Sequence, residues 1–225
     1  MPDTPHLVSD VMTLPVVAVG RGARFKEIVR TMRQWDVSAV PVLEGDGRVV
    51  GVVSEADLLP KEEFRDRVLG RSEQIRRLPD LGKAEGVTAD ELMSTPAVTV
   101  HADVTLARAA RIMAVKHLKR LPVVDDEDRL QGIVSRADLL KVFLRSDEDI
   151  AEEVRRTVVS YLFPALTHTI HVSVHDGIVA LRGQVHDTSL AWVAERLVRS
   201  VEGVVGVETR LGGEDIDPDP AETTG

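Results

Sequence analysis

The apolar positions of the chain change period repeatedly, and each change marks an element. Residues 6–12 predict a short lead-in helix, and Val16-Val-Ala-Val19 is an apolar run of strand length. From Arg24 the spacing becomes helical, with Phe25, Ile28, Val29 and Met32 on one face. Ala39-Val-Pro-Val-Leu43 predicts a second strand with Pro41 near its start, where a missing N–H is tolerated. Glu44-Gly-Asp-Gly47 is rich in residues that accept positive φ and predicts a turn. Arg48 to Val53 is a third strand, and Ser54 opens a helix through Leu59. The order is β-α-β-β-α.

That order recurs. Gly51-Val-Val-Ser-Glu-Ala-Asp57-Leu-Leu59 returns 81 residues on as Gly132-Ile-Val-Ser-Arg-Ala-Asp138-Leu-Leu140. Met12 and Met93, Pro15 and Pro96, and Pro41 and Pro122 share the offset, and residues 11–59 align on 92–140 without a gap and with 16 identities. The second set of elements is Val98–His101, Thr105–His117, Leu121–Val124, the acidic turn Asp125–Asp128, Leu130–Val134 and a helix from Ser135. A fixed offset with this many matches is a duplicated structural unit, and two such units are expected to pack about an approximate two-fold axis.

Pro60 to Val87 joins the repeats and is long for a connector, where about 4–6 residues is typical. Lys61, Arg65, Arg67, Arg71, Arg76, Arg77 and Lys83 stand there beside six anions, and Phe64, Val68, Ile75 and Leu78 fall near one helical face that Gly70 interrupts. This predicts an exposed, helix-rich charged bridge, with a contact element as the other reading. After Leu144 the repeat ends. Ile150 to Phe163 is an amphipathic helix stopped before Pro164, and Ile170, Val172 and Val174 alternate with His171, Ser173 and His175 as in a half-buried strand. Asp176-Gly177 predicts a tight hairpin into Ile178–Leu181. A helix capped by Asp187, Thr188 or Ser189 and running to about Val201, then a strand from Val204 to Leu211, completes an α-β-β-α-β domain.

Composition narrows the classes. The apolar fraction of 43% is that of an ordinary globular protein, and aromatics at 3% make the cores aliphatic. With no cysteine there is no disulfide, thiolate metal site or cysteine nucleophile. No apolar run approaches about 18 residues, and Met1-Pro-Asp-Thr-Pro-His lacks the basic and apolar regions of a signal peptide, so a cytoplasmic location is expected. A net charge of −9 argues against general nucleic-acid binding. Five of the acids, Glu214, Asp215, Asp217, Asp219 and Glu222, lie with Pro218 and Pro220 in a tail whose composition predicts disorder.

The repeated Ser-x-x-Asp has two readings. A Ser with an acid three positions on resembles a capping box, which satisfies amides at a helix start. The same helix start suits a phosphate, with Ser donating to it and Asp accepting from the two hydroxyls of a ribose. Motifs of a phosphate-binding loop, a zinc protease or a serine hydrolase are absent, and no enzymatic activity is expected. His171 and His175 are about 13 Å apart on a strand, too far to share an ion, and read as surface histidines along with His168 and His186.

The landmarks Met-Thr/Ser-x-Pro, a Val/Leu-Pro-Val step and Gly-x-x-Ser-x-x-Asp-Leu-Leu, each present twice in register, resemble the CBS domain. Two copies in tandem look like a CBS pair, an adenosine-nucleotide-sensing module, over roughly residues 7–145. The resemblance implies two clefts able to hold AMP, ADP or ATP as a regulatory ligand, with no required cofactor. Carried over by position, Ser54 and Asp57, and Ser135 and Asp138, would hold phosphate and ribose. Thr13 and Ser94, with Val40, Pro41, Leu121 and Pro122, would border the base. The copies differ in charge: Lys116, His117, Lys119, Arg120 and Arg136 of the second stand where the first has Trp35, Asp36, Ser38, Ala39 and Glu55. Arg120 and Arg136 are therefore the expected phosphate partners. Which cleft those cations serve stays open at this level, and Lys116 and Lys119 also read as a solvated face.

Val172-x-Val174-x-x-Gly177-x-Val179-x-Leu181-x-Gly183-x-Val185, a long helix, then Val201-Glu-Gly203-Val-x-x-Val207 resembles a BON domain over residues 148–213. That family implies phospholipid surfaces and envelope or stress proteins. The expected architecture is α/β (α+β): CBS repeats at 1–59 and 88–146 joined by a bridge at 60–87, a BON domain at 147–213 and a tail at 214–225. The expected function is regulatory nucleotide sensing that modulates a protein partner through the BON domain or the bridge, in a homodimer. The alternative is a non-catalytic scaffold or membrane-associated stress protein with vestigial clefts.

Overall fold

The computed structural model describes residues 7–65, 75–167, 169–185 and 187–213. The middle of the bridge at 66–74, with Arg67, Val68, Gly70 and Arg71, lies outside the described residues, as do His168, His186 and the acidic tail. Among the described residues, Leu7–Leu139 form one compact unit and the chain from Leu140 onward forms another. Both are mixed α/β, and each of the three sheets has three strands.

In the first unit, β1 (Val19–Gly20), β2 (Ala39–Glu44) and β3 (Arg48–Ser54) form one sheet, with β2 central, parallel to β1 and antiparallel to β3. β4 (Val100–His101), β5 (Arg120–Val124) and β6 (Leu130–Ser135) repeat that sheet. The helical-period stretches become Phe25–Gln34 and Leu106–Val115. Their apolar stripes face inward: Ile28, Met32, Leu106, Ala109 and Met113 are buried, and Val29 is left at 40% exposure. β1 and β4 are shorter than the expected runs from Val16 and Val98. Only their last residues reach the central strand, and Pro96 to Val98 line a cleft instead.

The sequence repeat and the packing repeat are out of phase. Ser94, in the lead-in of the second repeat, exchanges backbone hydrogen bonds with Val52 on β3 of the first (3.2 and 2.9 Å). Thr13, in the lead-in of the first repeat, does the same with Ile133 on β6 of the second (2.8 and 3.3 Å). The lead-in helices follow the exchange. Val8–Val11 hangs from Val104 O and Ala102 O, and Ala89–Leu92 from Ala23 O and Arg21 O. Ala89, Leu92 and Met93 thereby belong to the core that holds Ile28, Val40, Val42 and Val53. Burying a side chain such as Leu92 contributes about 1.5–3 kcal/mol. Arg48 and Arg129, equivalent positions in the two hairpins, pair across the approximate two-fold.

This exchange accounts for Pro41. Val52 directs its N–H and C=O at Ser94, so its cross-strand partner Pro41 needs no N–H on that side. Pro122 and Ile133 repeat the arrangement.

The bridge is helical where described, as Pro60–Glu63 and Leu78–Glu85. The two segments are fastened by Arg77, paired with Glu63 and Asp80, and by Lys61 Nζ, which donates to Ala84 O at 2.9 Å.

In the second unit, Asp147–Val154 begins at a Ser146 cap and continues through a π turn, Arg155–Val159, into Ser160–Leu162. β7 (His171–His175) and β8 (Ile178–Val185) form the hairpin, and β9 (Gly206–Gly213) joins β8 in parallel after the helix Ala191–Val198. The Asp176-Gly177 turn has φ of 50° and 73°, as a two-residue hairpin requires. The Asp147 carboxylate accepts from both amides of that turn at 2.9 Å, tying the helix start to the hairpin. Val172, Val179, Leu181 and Val185 meet Ile150, Val154, Ala194 and Val198 in one core, while His171, Ser173 and His175 stay exposed.

Gly51 and Gly132 are where the exchanged methionines press on the sheets. A Cβ at 132 would stand 2.6 Å from Met12 Sδ, and one at 51 would overlap the Met93 thioether, with Met93 Cγ at 2.8 Å and Cβ at 3.0 Å. Gly51→Ala is expected to destabilise the pair by about 1–3 kcal/mol, through overpacking. Gly132→Ala is expected to cost less, because Met12 Cγ lies at 3.2 Å and only the sulfur end must move. Denaturant titration of the two variants checks the order, and equal stability of both with the parent would refute it.

Candidate functional site

A cavity of about 240 Å³ opens between the repeats. The first repeat supplies Ser38, Ala39, Val52 and the run Ser54 to Asp57; the second supplies Ser94, Pro96, Ala97, Val98 and the loop His117 to Arg120. Apolar and small side chains make much of the wall, with an acid and cations among them. The loop is built by a left-handed residue at His117 (φ 54°), matched at Asp36 (φ 51°) in the first repeat. Arg136 braces it: its Nε donates to Leu118 O at 2.8 Å and its amide to Lys119 O at 2.9 Å.

Asp57 is the buried charged residue here, at 8% exposure. Its Oδ2 accepts from the Ser54 amide and the Ser54 hydroxyl, both at 2.7 Å. Its Oδ1 accepts from Ser94 Oγ at 3.2 Å and is ion-paired with Lys83 of the bridge. Asp138 repeats the first half: Ser135 N and Oγ donate to its Oδ2 at 2.9 and 2.6 Å, and Asp138 N donates to Ser135 Oγ at 3.2 Å. The capping reading of Ser-x-x-Asp therefore holds in both copies.

The first amide of each of these short helices is not free for a phosphate. Glu55 N donates to Ser38 O at 3.0 Å and Arg136 N to Lys119 O, so these amides are already engaged by the preceding loops. A cationic side chain stands beside them. Arg120 Nη2 donates to Ser38 Oγ at 2.6 Å, its one side-chain hydrogen bond among the described residues. Burial pushes its pKa down, and the Glu55 and Asp138 carboxylates oppose that shift. An arginine stays cationic regardless, so a half-buried guanidinium with N–H donors to spare favours an incoming anion.

Of the expected site residues, Ser54, Asp57, Ser94 and Arg120 are brought together on this cavity. Of the second-repeat cations, Lys119 and Arg120 lie on one cavity with the Ser54/Asp57 pair of the first repeat, and the Asp138 carboxylate also acts on Arg120. Val40, Pro41, Leu121 and Pro122 are buried strand residues and are not among its lining; Val40 and Leu121 point into the cores, and the two prolines stand on the other face of the same strands. Thr13, Ser135 and Asp138 belong to the symmetric side of the pair, and Arg136 acts on the loop backbone. Reading by motif missed Lys83 and the wall formed by Pro96, Ala97 and Val98. The wall had a signal, since Pro96 is repeated at Pro15. Lys83 had none, because the bridge has no counterpart between the aligned segments.

The chain belongs to the CBS domain family: the family model matches residues 8–61 and 89–145 as a tandem pair, and the BON domain model matches 146–211. Protein MJ1426 of Methanocaldococcus jannaschii is 31% identical over 154 residues, 61% of this chain and 91% of its own length. The CBS domain-containing protein YhcV of Bacillus subtilis is 31% identical over 132 residues, 59% of this chain and 81% of its own length. Of several further relatives, from Methanocaldococcus jannaschii and Methanopyrus kandleri, the chain spans 31% to 59%. Among solved structures, CBSX2 of Arabidopsis thaliana in complex with AMP is similar, with a TM-score of 0.55 and 27% identity over 62% of this chain and 97% of that one. No described helix is long and apolar enough to cross a membrane.

Proposed function

We propose that this protein is a regulatory nucleotide sensor in which AMP, ADP or ATP binds the clefts of the CBS pair. The observation that carries the reading is the meeting, in one cavity, of Ser54 and Asp57 from one repeat with Lys119 and Arg120 from the other. The AMP complex of CBSX2, a relative in fold and sequence, supports the choice of ligand. Asp57 would accept from the sugar hydroxyls, Lys119 and Arg120 would meet phosphate, and the walls at Val52, Ala97, Val98 and Leu118 would enclose the base. Ser135 and Asp138, with Thr13, would serve the second cleft. No bond-making step is assigned to any of these groups.

Calorimetry with AMP, ADP, ATP and S-adenosylmethionine tests this. An adenosine nucleotide is expected to bind in the micromolar range, about −8 kcal/mol per site. Asp57→Asn and Asp138→Asn should each weaken one site while keeping the helix cap. Arg120→Ala should weaken the phosphate-bearing ligands by about 1.5–3 kcal/mol, the scale of a charge-assisted hydrogen bond, and leave adenosine nearly unchanged. Unaltered affinity in all three variants would sink the assignment.

The protein is proposed to work as a homodimer. The helix Phe25–Gln34 and the segment Leu58 to Glu62 leave a groove of about 650 Å³ in which Val29 and Leu59 stand at 40% and 64% exposure. Exposed aliphatics on a groove of this size suit a second copy. Light scattering is expected to give about twice the 24.6 kDa chain mass, and Leu59→Glu should return the monomer. A parent that stays monomeric at high concentration would remove the proposal.

The BON domain or the bridge would then pass occupancy to a protein partner in the cytoplasm. The open sheet face carries His171, Ser173 and His175, and the chain's charge of −9 disfavours anionic lipid. Anionic liposomes are expected to leave the protein in solution at pH 7 and at pH 5.5. Strong binding at both values would replace the protein partner with phospholipid.

A further inference from the structure

We propose that Lys83 is a latch on the first cleft, which a ligand must displace to reach Asp57; the proposal rests on the reading of that cleft as a nucleotide site. A carboxylate offers about four lone-pair positions. Four donors already occupy those of Asp57: the Ser54 amide, the Ser54 hydroxyl, Ser94 Oγ and Lys83 Nζ. A ribose diol brings two more donors and no room for them.

The four donors are not equally movable. The Ser54 amide is fixed by the turn from β3 into the helix Glu55–Leu58. The two serine hydroxyls can rotate and accept from a ligand in place of donating. Turning the Ser54 hydroxyl away would loosen the cap, whereas an ammonium can accept nothing, so Lys83 is the donor whose departure frees Oδ1 without spending the cap. It also donates to Ser94 Oγ at 3.1 Å, so one lysine covers Asp57 and the neighbouring hydroxyl together. The pair is largely out of water, with side-chain exposures of 21% for Lys83 and 11% for Asp57. Breaking it is therefore not repaid by free hydration of Asp57.

Lys83 sits on Leu78–Glu85, the described helix of the bridge. Among the described residues, side-chain bonds fasten that helix at two places: Lys61 and Arg77 hold it to Pro60–Glu63, and Lys83 holds it to Asp57 and Ser94. Release of Lys83 removes the second mooring. Occupancy of the first cleft is thereby coupled to the freedom of the bridge helix, and by reciprocity a partner that draws the helix away raises the affinity of the cleft.

The test uses the full chain carrying Asp138→Asn, so that binding heat reports the first cleft, with and without Lys83→Met, which keeps the stem and removes the charge. AMP is the probe, with hydrogen exchange of residues 78–85 as the second readout. Lys83→Met is expected to bind AMP about tenfold tighter or more, the scale of one charge-assisted hydrogen bond. Without ligand it should exchange faster over 78–85, and AMP should speed exchange there in the lysine-bearing protein alone. Lys83→Gln, which keeps a neutral donor, should fall between the two. AMP affinity unchanged or weakened by Lys83→Met overturns the latch while leaving the nucleotide reading intact. If no variant binds AMP, ADP, ATP or S-adenosylmethionine, the nucleotide reading fails. Unchanged ligand-free exchange in Lys83→Met then removes the tether too, and faster exchange upholds the tether by itself.

Discussion

Val52 on β3 and Ile133 on β6 each turn a backbone N–H and C=O toward an edge that no strand of their own sheet covers, and the lead-in of the other repeat takes both. An unpaired amide and carbonyl in such a place would cost free energy comparable to lost hydrogen bonds. Much else follows from this exchange. It carries Met12 over Gly132 and Met93 over Gly51, where an added Cβ would meet the thioethers. It brings Ser94 beside Asp57 and makes the cleft a product of both repeats. It also makes neither repeat complete alone, since the core around Ile28 and Val40 includes Ala89, Leu92 and Met93 from beyond the bridge.

The exchange explains which parts of the architecture were legible in the sequence. Periodicity located the helices Phe25–Gln34 and Leu106–Val115, because their buried faces lie within one repeat and recur every turn. The two hairpins were marked by turn residues and alternation. The 81-residue offset revealed the duplication but not the crossing of the lead-ins, because an exchanged and an unexchanged pair would carry the same landmarks. Strands β1 and β4 were over-extended for a related reason. An apolar run such as Ala97-Val98 is buried equally well against a sheet neighbour or as a cleft wall, and the pattern does not distinguish them. The BON domain read more directly, since Asp176-Gly177 and the flanking alternation are local signals.

The site was less legible than the fold. Ser54 and Asp57 were visible because a motif repeats, and Arg120 because the two copies differ in charge there. Val40 and Leu121 followed from position in a motif, and the strand period turns them into the cores. Lys83 had no mark at all. It lies in the segment with no repeat partner, and among the seven bridge cations nothing in the order of residues separates it from Lys61 or Arg77, which bind elsewhere on the bridge. Contacts across 26 residues of charged linker are set by tertiary packing.

Asp57 joins two properties usually treated separately. Its Oδ2 fixes the start of Glu55–Leu58, and its Oδ1 faces the cleft and the bridge. A ligand that engages Oδ1 need not disturb the cap, because the amide and hydroxyl of Ser54 converge on the other oxygen. The helix start can thus stay in place while Lys83 and Ser94 change partners. That division would let the proposed occupancy alter the bridge without unfolding the sheet edge on which the exchanged lead-in depends. Where the carboxylate were held by Oδ1 and Oδ2 alike from the backbone, binding would compete with folding, and the ligand's free energy would go into melting the cap. With the cap on one oxygen and Lys83 and Ser94 on the other, the free energy of the ligand proposed for Oδ1 would be available to move the bridge helix.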